Sequence, residues 1–325
     1  YPPKVRGTTR LMVIDRKTGN ISHKQYSDIP SYMNKGDIVV LNNTKVEKVR
    51  VFLKNKRNNR KVQCIILTKI YLGEGDKEYR EAVLGCNRKI KDGDILISNN
   101  GYELEVLHKV MEAVFLLASD IGIFDKLIYE EGHIPLPPYL NREDNGDDYV
   151  RYNTVFAKYV GSSAAPTASL NITKDMLDTF DKKGVKKVEV NLEVGWGTFA
   201  PIREEEVENH KIHTERISVS KETSESINNR KGDIWCFGTT ATRTLESVVK
   251  NDIVYPYEGN TDIYIYPGYN WKIVNHLITN FHAPQSSLMV MISSFMGYDL
   301  MMEAYNIAIK EKYNFLSYGD SMMII

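Results

Sequence analysis

Asp233-Ile234-Trp235-Cys236-Phe237-Gly238-Thr239-Thr240-Ala241-Thr242-Arg243-Thr244-Leu245-Glu246-Ser247 is the stretch whose reading decides the fold class. Four consecutive apolar residues read as a strand buried on both faces. A glycine turn follows, and then a segment of small and hydroxyl residues around Leu245 that continues as a helix. A strand, a glycine turn and a helix start form a seat for a carboxylate or phosphate at the first free amides, with Arg243 placed to fork onto it. The spacing matches neither a Walker loop nor a dinucleotide fingerprint. Similar units lie on either side. Ile38-Val39-Val40-Leu41 is a second fully apolar run, ending in polar Asn42-Asn43-Thr44. Strands are predicted at 188–194, 262–266 and 277–279, and helices at 174–183 (stopped by Gly184), 288–295 and 300–310. Strands alternating with helices make this part α/β.

The texture differs between residues 46 and 131. Alternating runs such as 62–67 and 102–107 are punctuated by turn signals at 73–75, 91–94 and 99–101, the pattern of a small antiparallel barrel or sandwich. The proline-rich stretch 133–140 is too rigid for a helix or a central strand and reads as the extended way back. The predicted architecture is therefore an α/β main domain built from residues 1–45 and 134–325, interrupted by a small β module at 46–133. A basic run at 54–61 lies in the first hairpin of the insert and could follow phosphates or simply be solvated.

Forty-two basic residues balance 42 acidic ones, so no global charge steers the chain to nucleic acid or to an anionic membrane. Three cysteines without metal-like spacing argue against a disulfide framework and a zinc site, and fit a reducing cytoplasm. No apolar run is long enough to cross a bilayer. The chain opens at Tyr1 without a methionine, so the expectation is that the true N-terminus was trimmed or lies outside this numbering.

Several polar clusters are candidates for chemistry. In 275–295 Pro284 forbids a continuous helix, so Thr279, Asn280 and His282 fall on a turn, and Ser286 or Ser287 caps the apolar helix that follows. His210 and His213 stand three apart beside Glu215, a possible ligand spacing with no further cluster to support a metal. Gly195 and Gly197 flank Trp196 after the strand 188–194, which suggests a planar group on the indole or a core tryptophan. The small residues of 161–170 permit close approach of backbone or ligand.

Read in order, IPLPPYLNRED (134–144), GSSAAPTASL (161–170), EVGWGTFAPIR (193–203), HKIHTE (210–215), GTTATRTLES (238–247), TDIYIYPGY (261–269), TNFHAPQSSLM (279–289) and YNFLSYGDSMMI (313–324) resemble the S-adenosylmethionine:tRNA ribosyltransferase-isomerase family of queuosine biosynthesis. The resemblance extends to 10–30 and 36–46 and is weakest in the insert. It implies a barrel-like α/β main domain carrying an inserted small antiparallel β-barrel, a monomer, no metal, and S-adenosylmethionine as co-substrate. The implied reaction moves and isomerises the ribosyl part of S-adenosylmethionine onto a 7-aminomethyl-7-deazaguanine at the wobble position of tRNA, giving epoxyqueuosine, adenine and methionine. Such chemistry needs a base near the sulfonium and an acid. His282, His213, His210, Glu215 and Glu193 are the candidates by type, histidine being favoured by its pKa. Arg243 is expected to hold the methionine carboxylate, and Trp196, Phe199 or Tyr269 to stack on a base. Thr239, Thr240, Gly195, Gly197, Thr198, Thr167, Asn171, Asn280, Thr279, Tyr139 and Arg142 complete the expected substrate-binding set.

Departures from the family pattern cluster in these motifs. Ser169, Asn171 and Ile172 replace a usual glycine, histidine and phenylalanine, Glu193 replaces a histidine, and Trp196 an alanine; Ala283 and Gln285 also differ. Asn171 cannot carry a proton, which shifts weight to His282, while Glu193 offers a base of another kind. These changes leave three readings: the tRNA acceptor, another acceptor or plain cleavage of S-adenosylmethionine, and a relative that binds tRNA or S-adenosylmethionine without turnover.

Overall fold

A computed structural model describes residues 2–72, 75–85, 89–111, 113–195 and 202–325. Two compact units result, Tyr1–Lys45 with Asn153–Tyr159 and Ala165–Ile325, and Val46–Tyr152 with Val160–Ala164.

The first unit is built on a nine-stranded mixed sheet. Its centre is four parallel strands in the order Lys186–Leu192, Ile38–Asn42, Ile234–Phe237 and His276–Asn280. The continuous apolar runs are explained by that position: Ile38, Val39, Val40, Leu41, Ile234, Trp235, Cys236 and Phe237 are all buried, since helices must cover both faces of a parallel sheet. Ser321–Ile324 pairs antiparallel with His276–Asn280 and parallel with Arg10–Ile14, and the hairpin Arg10–Ile14/Ile21–Gln25 ends that side. On one face Val39, Leu41, Trp235, Phe237 and Ile278 pack with Phe180 and Met176 of helix Lys174–Lys183. Alternation turns Val40, Cys236 and Leu277, equally buried, to the other face. Helix Lys174–Lys183 has the predicted ends: the Thr173 hydroxyl accepts the Met176 amide, and Gly184 closes it at φ 71°.

The second unit is a closed six-stranded antiparallel barrel in the order Val114–Asp120, Lys77–Leu84, Lys61–Leu72, Arg50–Asn55, Ile95–Ile97, Glu103–Met111. Helix Ile123–Glu131 adds Phe124 and Leu127 to its interior. Residues 134–152 were expected with the main domain but cluster with the barrel. The reason lies in the contacts of that stretch. His133 bridges the backbone of Arg50, Asp144 pairs with the Arg50 guanidinium at 3.0 Å and accepts the Ile134 amide at 2.9 Å, and the Tyr149 hydroxyl donates to Glu47. These polar ties are invisible to a reading based on periodicity.

Other expectations shift as well. The strand predicted at 262–266 lies at Tyr257–Thr261, where it pairs with Glu215–Val219. The following residues leave the ladder, and the Ile263 carbonyl accepts from the Arg243 guanidinium. Helix Lys221–Asn228, capped by Ser220, was not foreseen because its sequence is mostly polar. The polar end of the second buried run is structural: the Asn42 side chain both donates to and accepts from the Leu192 backbone at 3.1 Å, tying neighbouring parallel strands.

Candidate active site

In an open α/β sheet, ligands bind beyond the carboxyl ends of the parallel strands. Here a pocket lies at that place, lined by Val194 beyond Lys186–Leu192, Gly238–Thr240 beyond Ile234–Phe237, and Thr279, Asn280 and His282 at the end of His276–Asn280. The turn Ala165–Ala168 closes one side and Leu288 another. Six expected residues, Thr167, Thr239, Thr240, Thr279, Asn280 and His282, thus come from three separate motifs to one cavity.

Local sequence explains each wall. The hydroxyl of Tyr26 donates to the Ala168 carbonyl at 2.6 Å, pinning the small-residue turn Thr167–Ser169 from within the core. Gly238 takes φ 93°, its amide donating to the Ile278 carbonyl at 2.7 Å, and the chain turns directly into helix Thr239–Ser247. That conformation favours glycine, and a methyl group there would meet Ala168 and Thr240. Inside the helix, the hydroxyls of Thr242, Thr244 and Ser247 donate back to the carbonyls four residues earlier, at 3.0, 2.9 and 2.6 Å. Thr240 is in the first turn, where no helical carbonyl precedes it, and its buried hydroxyl has no partner.

His282 sits on the turn as expected. Its Nε2 and the Thr279 hydroxyl are 2.8 Å apart, the direction of the proton depending on the tautomer, and its backbone amide donates to the Tyr305 hydroxyl at 2.9 Å. The residue is half-buried, and burial pushes its pKa down to about 4. At neutral pH it is therefore an uncharged imidazole able to accept a proton. The preceding Phe281 anchors the turn among Tyr305, Tyr313 and Phe315, with ring centroids 5.1 to 5.5 Å apart. Beyond Pro284 the Ser286 hydroxyl accepts the Met289 amide, capping helix Ser287–Met296. Sequence reading missed Tyr305, which lies 23 residues away on a helix whose pattern announces only a core face.

The remaining candidates are placed elsewhere. Arg243 does not line the pocket. It is buried on the inward side of its helix in an ion pair with Glu215, whose other oxygen accepts the Gly195 amide at 3.0 Å. Glu215 is thus a clamp between strand, helix and the start of the glycine turn. The Asn171 side chain is buried and reaches the Gly319 carbonyl at 3.5 Å, away from the cavity. Glu193, half-buried, has its carboxyl pKa raised by burial, with Arg216 working in the opposite direction. His210 bonds Glu204 at 3.0 Å and meets the edge of Tyr264, whereas His213 is exposed. The Tyr269 hydroxyl donates to Glu246, and Trp271 stands edge-on to its ring, which makes it part of a structural corner. Within the barrel unit, Arg142 is bidentate to buried Asp148 at 2.6 and 2.7 Å, and Tyr139 is exposed in a short 3-10 turn. Trp196, Gly197, Thr198 and Phe199 lie outside the described residues.

Comparison with known proteins gives a consistent result. The family model described as "Queuosine biosynthesis protein" matches residues 1–324. A protein of Acetivibrio thermocellus named S-adenosylmethionine:tRNA ribosyltransferase-isomerase is 43% identical, the match covering 99% of this chain and 94% of the relative. A protein of the same name from Thermoanaerobacter is 39% identical over 100% and 95%. Among solved structures, the S-adenosylmethionine tRNA ribosyltransferase of Thermotoga maritima superposes with a TM-score of 0.54 at 29% identity, covering 100% of this chain and 95% of that one. The chain therefore belongs to the queuosine biosynthesis protein family.

Proposed function

We propose that this protein transfers and isomerises the ribosyl moiety of S-adenosylmethionine onto the 7-aminomethyl-7-deazaguanine wobble base of tRNA, forming epoxyqueuosine and releasing adenine and methionine. The observation that carries this reading is the pocket at the strand ends, which assembles Thr167, Thr239, Thr240, Thr279, Asn280 and His282 from three motifs in a chain that matches relatives of that name along its whole length. Proton removal from the ribose carbon beside the sulfonium starts the reaction. Neutral His282, held by Thr279, is the base in our reading. Adenine then leaves, the amine of the acceptor attacks, and an epoxide closes as methionine departs. Glu215 and Arg243 act through position, fixing the strand-to-helix geometry on which Gly195 and Thr240 depend.

For the tRNA partner, the barrel hairpin Arg50–Asn55/Lys61–Leu72 supports a contact with phosphates. Of its basic run, Lys56 bonds Glu103 and Arg57 bonds Asp94 at 2.5 Å. Lys54 and Lys61 face each other across the ladder, both exposed, beside partly exposed Phe52. Like charges directly opposite repel, and an anion laid across them removes that cost.

Adenine release measured by chromatography tests the reading. With S-adenosylmethionine and tRNA bearing the aminomethyl deazaguanine, release is expected, together with modified tRNA. Release without tRNA would point to another acceptor or to cleavage, and none under either condition would defeat the enzymatic reading.

A further inference from the structure

Two buried polar atoms in the pocket lack partners, the Thr240 hydroxyl and the Asn280 Oδ1, although their residues are only 7% and 1% exposed. Their chemistry differs. The Thr240 hydroxyl lies at the start of helix Thr239–Ser247, where no side chain caps the first-turn amides, so donors and the positive end of the helix dipole gather there. Asn280 is oriented by its other end: its Nδ2 donates to the Asp320 carbonyl at 3.3 Å, and a carbonyl can only accept, which leaves Oδ1 as a pure acceptor. One wall of the cavity therefore wants a negative group and another wants an N–H. Among the described lining residues none is an aspartate, glutamate, lysine or arginine, and partial burial keeps His282 uncharged at neutral pH. A phosphate would enter such a site without a countercharge. Nor does any described Phe, Tyr or Trp line it to stack on a base.

We propose that this pocket seats a zwitterionic amino-acid head, its carboxylate on the Thr240 hydroxyl and the helix amides and its ammonium on Asn280 Oδ1. The inference rests on the reading of the protein as an S-adenosylmethionine enzyme, and it places the methionine end of that molecule here instead of on Arg243, which does not line this pocket: its Nη1 pairs with Glu215 and its Nε reaches the Ile263 carbonyl, while its buried Nη2 has no partner. The match is one of charge as well as of groups: a net-neutral head meets a net-neutral pocket.

Calorimetric binding of three ligands by wild type and Thr240→Val tests it: S-adenosylmethionine, its decarboxylated analogue, which lacks the carboxylate, and 5′-methylthioadenosine, which lacks the whole head. Loss of a hydrogen bond to a charged group is expected to weaken S-adenosylmethionine binding by about tenfold or more. Affinity for the other two ligands should stay within about twofold, and Thr240→Ser, which keeps the hydroxyl, should restore binding. Asn280→Leu, the second variant if the first fails to fold, should weaken both ligands that carry the ammonium and spare 5′-methylthioadenosine. Equal weakening of all three ligands by the variants, or unchanged S-adenosylmethionine affinity, would overturn the head-group seat while leaving the enzyme reading intact. Wild type that neither binds S-adenosylmethionine nor releases adenine with tRNA would overturn both.

Discussion

His282 joins the base role proposed for it to an acid sensitivity in one side chain. Its pKa of about 4 in the folded protein lies below the ordinary value near 6.5, so between those limits the unfolded chain binds more protons than the folded one. Stability from this group is complete above about pH 6.5 and falls as the pH drops toward 4, by at most about 3 kcal/mol. Urea unfolding at pH 7 and pH 5 should show this slope in wild type and a flatter one in His282→Gln. With His282 as the proposed base, the same depression is expected to set the acid limb of activity: a base with this pKa stays competent at pH 5.5, where an ordinary histidine would be mostly protonated. Adenine release by His282→Ala should be lost at every pH while its far-ultraviolet circular dichroism is unchanged; surviving turnover would remove His282 as the base. Thr279→Val, which deletes the group holding the ring, should lower kcat by about tenfold with little change in KM.

Among the elements, helix Thr239–Ser247 carries more of the fold than its nine residues suggest. Arg243 on it pairs with Glu215, and Glu246 on it, fully buried, accepts the amides of Lys272, Ile273 and Val274 and the Tyr269 hydroxyl at 3.0 to 3.1 Å. Substituting one partner of a buried pair strands the other, so Glu215→Gln should cost about 3 kcal/mol or more in urea unfolding. Glu246→Gln should cost about 2–4 kcal/mol, because its amide would turn an NH2 toward N–H donors. The hairpin of the barrel supplies a test of another kind. Lys54→Glu and Lys61→Glu should each weaken tRNA binding and lower the steepness of its salt dependence by about one unit, without changing S-adenosylmethionine affinity. The elements themselves were largely legible. Proline at 284, glycine at 184 and 238, and the uninterrupted apolar runs each have a single local explanation. Strand Tyr257–Thr261 was misplaced by several residues because the aromatic alternation of 262–266 imitates a half-buried strand, whereas side-chain bonds hold that stretch off the ladder.

At the scale of the whole molecule, two units with separate cores share one chain. The barrel buries Val51, Leu53, Val62, Leu104 and Leu117 among themselves, and all residues lining the pocket belong to the sheet unit. Leu117→Ala should therefore destabilise the barrel by about 2–5 kcal/mol, read as earlier unfolding in urea, and leave S-adenosylmethionine affinity of the folded protein unchanged. With basic and acidic residues equal in number, the proposed tRNA contact has to draw on local placement of charge and not on overall charge.

Local pattern in the sequence was enough for the α/β class, the inserted β module, the ends of helices 174–183 and 288–295 and the turn that carries His282, since each depends on residues within a few positions of one another. The resemblance to the family added Thr239, Thr240, Thr279 and Asn280 as expected binding residues before any contact was known. The partners of these residues were decided only by tertiary structure. Arg243 has the right type and place to receive a carboxylate, yet its side chain turns to Glu215, 28 residues earlier in the chain, and Tyr269 to Glu246. Asn171 stands in a pocket motif but points to Gly319. Which way a side chain on a helix or turn faces depends on the neighbours that burial brings to it, and those neighbours come from strands far apart in sequence. The TNFHAPQSSLM turn thus disclosed a histidine; folding made it an uncharged one, beside a hydroxyl and an amide oxygen left without partners.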